Sequence, residues 1–173
     1  MSEQRKKIII IDDVELNRTI LGEAFSKKYD VIEAQDGWEG LEKIMANQDD
    51  IAAIFLDIIM PEMDGFSVLS ELENKEIMKK IPLFIITTET TDYVVERAYD
   101  YGVIDVIQKP FNLLIIERRV SNIIELFESR SQLNGSCPVE KTPSEPVKSE
   151  KEEKYKLALS QIAQIINNVA KEK

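Results

Sequence analysis

Five short apolar runs, each followed by a stretch of helical spacing, constrain this chain more than any other feature. KIIII (7–11), YDVIEA (29–34), IAAIFL (51–56), IPLFII (81–86) and VIDVI (103–107) read as strands. The spacing predicts helices over residues 14–27 and 37–47, through Phe66, Leu69 and Leu72, and over residues 92–101 and 112–128. Asp13 is placed to cap the first helix and Gly102 to close the fourth. Several strands are apolar throughout, which fits burial on both faces by helices. The alternation therefore predicts an α/β fold, a (βα)5 doubly wound parallel sheet of order 2-1-3-4-5 with right-handed crossovers.

In such sheets ligands bind beyond the carboxyl ends of the strands. That is where this chain keeps its chemistry: Asp12 and Asp13 after the first strand, Asp57 after the third, Thr87 after the fourth and Lys109 after the fifth. A single Asp at a strand end is usually a cap or turn former, but the set together is a site. Three carboxylates gathered at one edge repel, and at least one should hold its proton more tightly than usual unless a cation intervenes. Mg²⁺ (or Mn²⁺) suits them, because it takes oxygen ligands and binds through one or two carboxylates plus phosphate oxygens. Asp57 ends the most apolar strand and is the expected nucleophile, a carboxylate able to form an acyl phosphate. Lys109 can pair with Asp57 at rest and then with a phosphoryl oxygen, and the Thr87 hydroxyl can donate to the same group.

Composition narrows the setting. The chain has 173 residues, enough for one cored domain with some left over. A net charge of −10 argues against nonspecific binding to nucleic acid or an anionic membrane. The first apolar run is too short for a signal peptide or a membrane span, and the single cysteine, Cys137, cannot form an internal disulfide. A cytoplasmic location is expected. There is no histidine, so any phosphohistidine step needs a second protein.

IIIIDD (8–13), LDIIMPEMDG (56–65), IITTE (85–89) and QKPF (108–111), in this order and spacing, resemble the receiver domain of two-component response regulators, a flavodoxin-like fold. The likeness covers roughly residues 5–128. It implies that Asp57 is phosphorylated by a histidine kinase or phosphotransfer protein. It implies that Asp13 and Asp57 ligate Mg²⁺ directly, Asp12 through water, and that the main-chain carbonyl of Ile59 is a further ligand. Thr87 and Lys109 would bind the phosphoryl group, with Ile59 and Glu89 flanking the path of attacking water. It allows a homodimer through residues 92–128. One position departs from the family pattern: Val106 stands where a switch aromatic is usual, three residues before the lysine. A route through residues 88–102, with packing near Tyr99 or Tyr101, is expected instead.

Two other readings compete. A pseudo-receiver would keep the fold and act only as a binding surface. An enzyme on a doubly wound sheet would want a glycine-rich phosphate loop after the first strand, where DDVELNR stands. Domain boundaries are expected at 1–128 for the receiver, 129–149 for a polar, proline-bearing linker and 150–173 for an amphipathic helix. Tyr155, Leu159, Ile162, Ile166 and Val169 give that helix a heptad-like seam, suited to docking, pairing or leading into an output region. No helix-turn-helix or basic recognition helix is visible, so direct nucleic-acid binding is not expected.

Overall fold

The computed structural model describes residues 5–134. The expectations for Cys137, most of the 129–149 linker and the 150–173 helix lie outside the described residues. The elements alternate: β1 (Lys7–Ile11), α1 (Glu15–Phe25), β2 (Asp30–Ala34), α2 (Gly37–Asn47), β3 (Ile51–Leu56), α3 (Gly65–Asn74), β4 (Leu83–Thr87), α4 (Asp92–Asp100), β5 (Asp105–Gln108) and α5 (Leu113–Asn134). All strand pairs are parallel, and the order is 2-1-3-4-5. This is the doubly wound fold that the pattern predicts.

The two-residue period of a strand sends alternate side chains to opposite faces. Ile8 and Ile10 therefore join one core, with Leu21 and Phe25 of α1 and Ile116, Val120 and Ile124 of α5. Ile9 and Ile11 join the other, with Ile44 of α2, Leu69 and Leu72 of α3, and Val94 and Ala98 of α4. Each fully buried Ile, Leu or Phe contributes about 1.5–3 kcal/mol. Phe25, Phe55 and Phe84 form a row across the first face, with successive ring centroids 5.2 and 5.5 Å apart. Every residue of β3 is buried, because it lies between strands and between both helical layers.

Several boundaries differ from the sequence reading, each for a local reason. β4 begins at Leu83 rather than at residue 81. Pro82 has no N–H to give the ladder, and only its carbonyl takes part, accepting from Ile54 N at 3.0 Å. β5 begins at Asp105, two residues later than the apolar run, while Val103 packs into the core between α4 and the strand. A single 3-10 turn, Ile77–Lys79, was not legible in the sequence. α5 continues past the expected end at residue 128 to Asn134, so the first part of the predicted linker is helical. Arg130, Gln132 and Leu133 are good helix formers, and no proline stands before residue 138 to stop them.

Asp13 does not cap α1. Val14 is the N-cap residue and makes no side-chain cap bond; its N–H instead donates to Asp12 Oδ1 at 2.9 Å, and Asp13 stays exposed. Asp36 does cap α2, accepting from Glu39 N at 2.8 Å, and Asp64 caps α3 through Ser67 N at 2.7 Å. Gly102 follows α4 with φ +85°, the left-handed conformation in which glycine closes a helix at least cost.

Candidate functional site

Three strand ends converge on one cluster. One oxygen from each of Asp12, Asp13 and Asp57 lies within 4.8 Å of the others. β1 and β3 are neighbours in the sheet, which brings Asp12 and Asp57 side by side, both buried. The Asp57 backbone is fixed from two directions: its N–H donates to Ile11 O at 2.9 Å, and Gly65 N donates to Ile58 O at 3.0 Å. The loop from β3 turns back so tightly that a Cβ at Gly65 would stand 2.4 Å from Asp57 O and 2.7 Å from Ile58 Cα. Glycine is required there for close approach.

Lys109 joins the cluster from the far side of the sheet. Its Nζ donates to Asp57 Oδ2 at 2.5 Å and to Asp12 Oδ2 at 2.6 Å, and its side chain is about 10% exposed. The Lys109–Pro110 peptide is cis. Asp57 Oδ1 accepts from Ile59 N at 3.0 Å, so both of its oxygens have donors. Asp12 accepts from Val14 N, from Asn17 Nδ2 at 3.0 and 3.2 Å, and from Lys109. Among the described residues no buried side-chain polar atom lacks a partner.

The electrostatics follow from burial. Burial holds the Asp57 carboxyl above its ordinary 3.8 and outweighs the hydrogen bonds from Lys109 and Ile59 and the Lys109 charge, while the Asp12 charge adds to the rise. Burial alone would push Lys109 down, but two carboxylates more than offset it, and its pKa lies above 10.5. Both partners therefore move up, Asp57 by burial and Lys109 by the two carboxylates it serves.

A cleft of about 560 Å³ opens over the cluster, lined by Asp13, Asn17, Asp57, Ile59, Thr88 and Lys109, among others. Thr87 is fully buried; its Oγ1 accepts from Glu89 N at 3.2 Å, and its carbonyl accepts from Lys109 N at 2.9 Å. The exposed Thr88 lines the cleft instead. The sequence reading brought Asp12, Asp13, Asp57 and Lys109 together as the structure does. It did not single out Asn17, Arg18 or Gly65. The only signals for them were a polar pair one helical turn past the two aspartates and a glycine after Asp64.

The donor set is chemically suited to a hard divalent cation. Three carboxylates supply oxygen ligands, one of them exposed to the cleft, and the cleft leaves room for water or a phosphoryl group. A carboxylate oxygen nucleophile, an ammonium in contact with it and a cleft beside them are what acceptance of a phosphoryl group asks for.

Comparison with known proteins agrees. The sequence model of the response regulator receiver domain matches residues 8–121. The chain is 32% identical over 120 residues to the chemotaxis protein CheY1 of Helicobacter pylori, covering 68% of this chain and 96% of that protein. It is 32% identical over 126 residues to the hybrid signal transduction histidine kinase D of Dictyostelium discoideum, covering 73% of this chain but only 8% of the kinase. Among solved structures, the CheX–CheY–BeF3–Mg²⁺ complex of Borrelia burgdorferi is similar with a TM-score of 0.63 and 27% identity, covering 68% of this chain and 88% of that one.

Proposed function

The chain belongs to the response regulator receiver family, and from that premise we propose that Asp57 is its phosphoryl acceptor. The protein is a receiver module of two-component phosphorelay signalling, with the acidic pocket of Asp12, Asp13 and Asp57 as its phosphorylation site. Among the described residues no helix is long and apolar enough to cross a membrane. A cytoplasmic location is proposed on the family membership. We propose residues 1–128 as the receiver, with α5 running on to Asn134.

In the proposed step an Asp57 carboxylate oxygen attacks phosphorus on a phosphohistidine. The O–P bond forms, the P–N bond breaks, and the imidazole of the donor leaves with the electron pair. The proposed donor is a histidine kinase or phosphotransfer protein, whose phosphohistidine lies outside these 173 residues, which hold no histidine. Mg²⁺, or Mn²⁺, held by Asp13, Asp57 and the Ile59 carbonyl with Asp12 behind a water, would neutralise charge on the transferring group. Lys109 moves its contact from Asp57 to a phosphoryl oxygen, and Thr87 donates its hydroxyl hydrogen to another. Water later attacks phosphorus past Ile59 and Glu89; its O–P bond forms, the O–P bond to Asp57 breaks, inorganic phosphate leaves with the water protons, and Asp57 returns to a carboxylate. The reading rests above all on one observation: a single ammonium set between two buried carboxylates, with a third beside them at an open cleft.

The route outward runs through α4. Val106 offers no aromatic rotamer, but Tyr101 is half-buried against the same core, with its ring 6.3 Å from that of Phe66. Arg97 lies 4.0 Å over the Phe66 ring. Phe66 directly follows Gly65, the residue that packs on Asp57 O. A shift at the Asp57 loop therefore has a packed path to α4 and to the surface of α4, β5 and α5 (residues 92–128), which is suited to a homodimer or another partner.

The test is incubation of the full chain with acetyl phosphate and Mg²⁺, read by intact mass. One added phosphoryl group is expected, lost in Asp57→Asn. No uptake, or undiminished uptake in Asp57→Asn, would overturn the assignment and leave the pseudo-receiver reading.

A further inference from the structure

We infer that Asn17 is a positioning residue for the metal site, acting through Asp12. The inference deepens the receiver reading and rests on it.

Asp12 is the most heavily held of the three carboxylates. The Asn17 carboxamide donates to both of its oxygens, at 3.0 and 3.2 Å. Arg18 Nη1 donates to the Asp12 main-chain carbonyl at 2.8 Å, and Arg18 Nε is itself tethered to Glu33 Oε2 of β2 at 3.1 Å. Two successive residues in the first turns of α1 therefore grip one aspartate at its side chain and at its backbone. The turn beneath them is closed by Asn17 N and Arg18 N, which both donate to Val14 O, at 3.0 and 3.3 Å.

The direction of the Asn17 hydrogen bond separates positioning from capping. An asparagine at a helix start commonly accepts from the helix N–H groups. Here its amide nitrogen donates away from the helix, toward the carboxylate, and the residue lines the cleft. Rotation of a carboxylate about its last bond is soft. The Asn17 amide bridges both oxygens, whereas the Val14 N–H holds Oδ1 alone and Lys109 holds Oδ2 alone, so without Lys109 only Asn17 still reaches Oδ2. Once Lys109 moves to a phosphoryl oxygen, Asn17 is the side chain left to hold Asp12. A partner that orients a metal-supporting carboxylate in this way affects affinity for the ion.

The test compares wild type, Asn17→Leu and Asn17→Ala as full chains in Mg²⁺ titrations by calorimetry, repeated with Mn²⁺ by water-proton relaxation. Affinity is expected to fall about 10-fold in both variants. Phosphoryl uptake from acetyl phosphate is expected to need more Mg²⁺ but to reach the wild-type maximum at saturation. A purely structural role would lower that maximum and would overturn the inference. So would unchanged or tighter binding in the folded variant, and Asn17→Ala serves if Asn17→Leu does not fold. Absence of Mg²⁺ binding by the wild-type chain would overturn the receiver reading and this inference with it, whereas binding by wild type with no change in the variants would overturn the positioning role alone.

Discussion

Lys109 Nζ lies 2.5 Å from Asp57 Oδ2, closing a contact between the ends of β5 and β3 across the end of β4. The same nitrogen reaches one strand further, to Asp12 at the end of β1. One side chain thus ties the ends of three strands, β5, β3 and β1, together at the carboxyl edge of the sheet. Lys109→Met would leave two buried carboxylates without their cation. A loss of about 3 kcal/mol is expected without divalent ions, since removing one partner of a buried pair strands the other charge. Mg²⁺ should restore more stability to the variant than it adds to wild type. Urea unfolding with and without Mg²⁺ measures both.

The upward shift of Asp57 has a definite sign in stability. An acid whose folded pKa is raised favours folding most below its unfolded value, ordinarily 3.8, and loses that contribution as pH rises through the folded value. Asp57→Asn is therefore expected to be more stable than wild type at neutral pH without Mg²⁺, with the gap closing in acid. Lys109, raised above 10.5, stabilises below its unfolded value, and that contribution is lost only as pH climbs past the raised one. Unfolding curves of both proteins from acid to alkaline pH check this. A wild type more stable than Asp57→Asn at neutral pH would contradict it.

Gly65→Ala should be costly out of proportion to its size. The new methyl would meet backbone atoms, Asp57 O and Ile58 Cα, which cannot rotate aside. A loss of about 2 kcal/mol is expected, as for overpacked cores. Phosphoryl uptake should slow as well, because relief of the clash displaces the Asp57 loop. Melting temperature and uptake rate are the two readouts, and a variant normal in both would show that the loop relaxes freely.

The path through Phe66 and Tyr101 predicts a separation of binding from response. Tyr101→Leu should still take up beryllofluoride with Mg²⁺, at a stability cost of about 1 kcal/mol for the lost aromatic pair. Amide exchange over residues 88–102 should change on beryllofluoride binding in wild type and change less in the variant. Equal changes in both would remove Tyr101 from the route.

The strands were legible because apolar runs that end in Asp, Thr or Lys leave little choice, and the site followed from where those runs stop. Asp57 and Lys109 could be paired from the strand order alone. Asn17 and Arg18 could not, because their bonds to Asp12 depend on how α1 is rotated against β1. Asp13 was assigned a cap that Val14 occupies, since sequence cannot tell which of two adjacent aspartates turns back toward the helix. That Thr87 is fully buried, with its Oγ1 accepting from Glu89 N and Thr88 beside it lining the cleft, could not be read from the sequence, because it depends on how the chain turns after β4. The length of α5 was underestimated because serine, arginine and glutamine serve a helix and a linker equally well.

The complete burial of β3 bears on how the protein divides its labour in time. A strand enclosed on both faces and both edges opens only when the whole domain does, so its amides should exchange among the slowest in the molecule. Asp57 stands at the tip of that element. The strand that carries the acceptor is thus the slow part of the fold, and the loop beyond it and α4 are the faster, shallower parts through which an arriving group is reported.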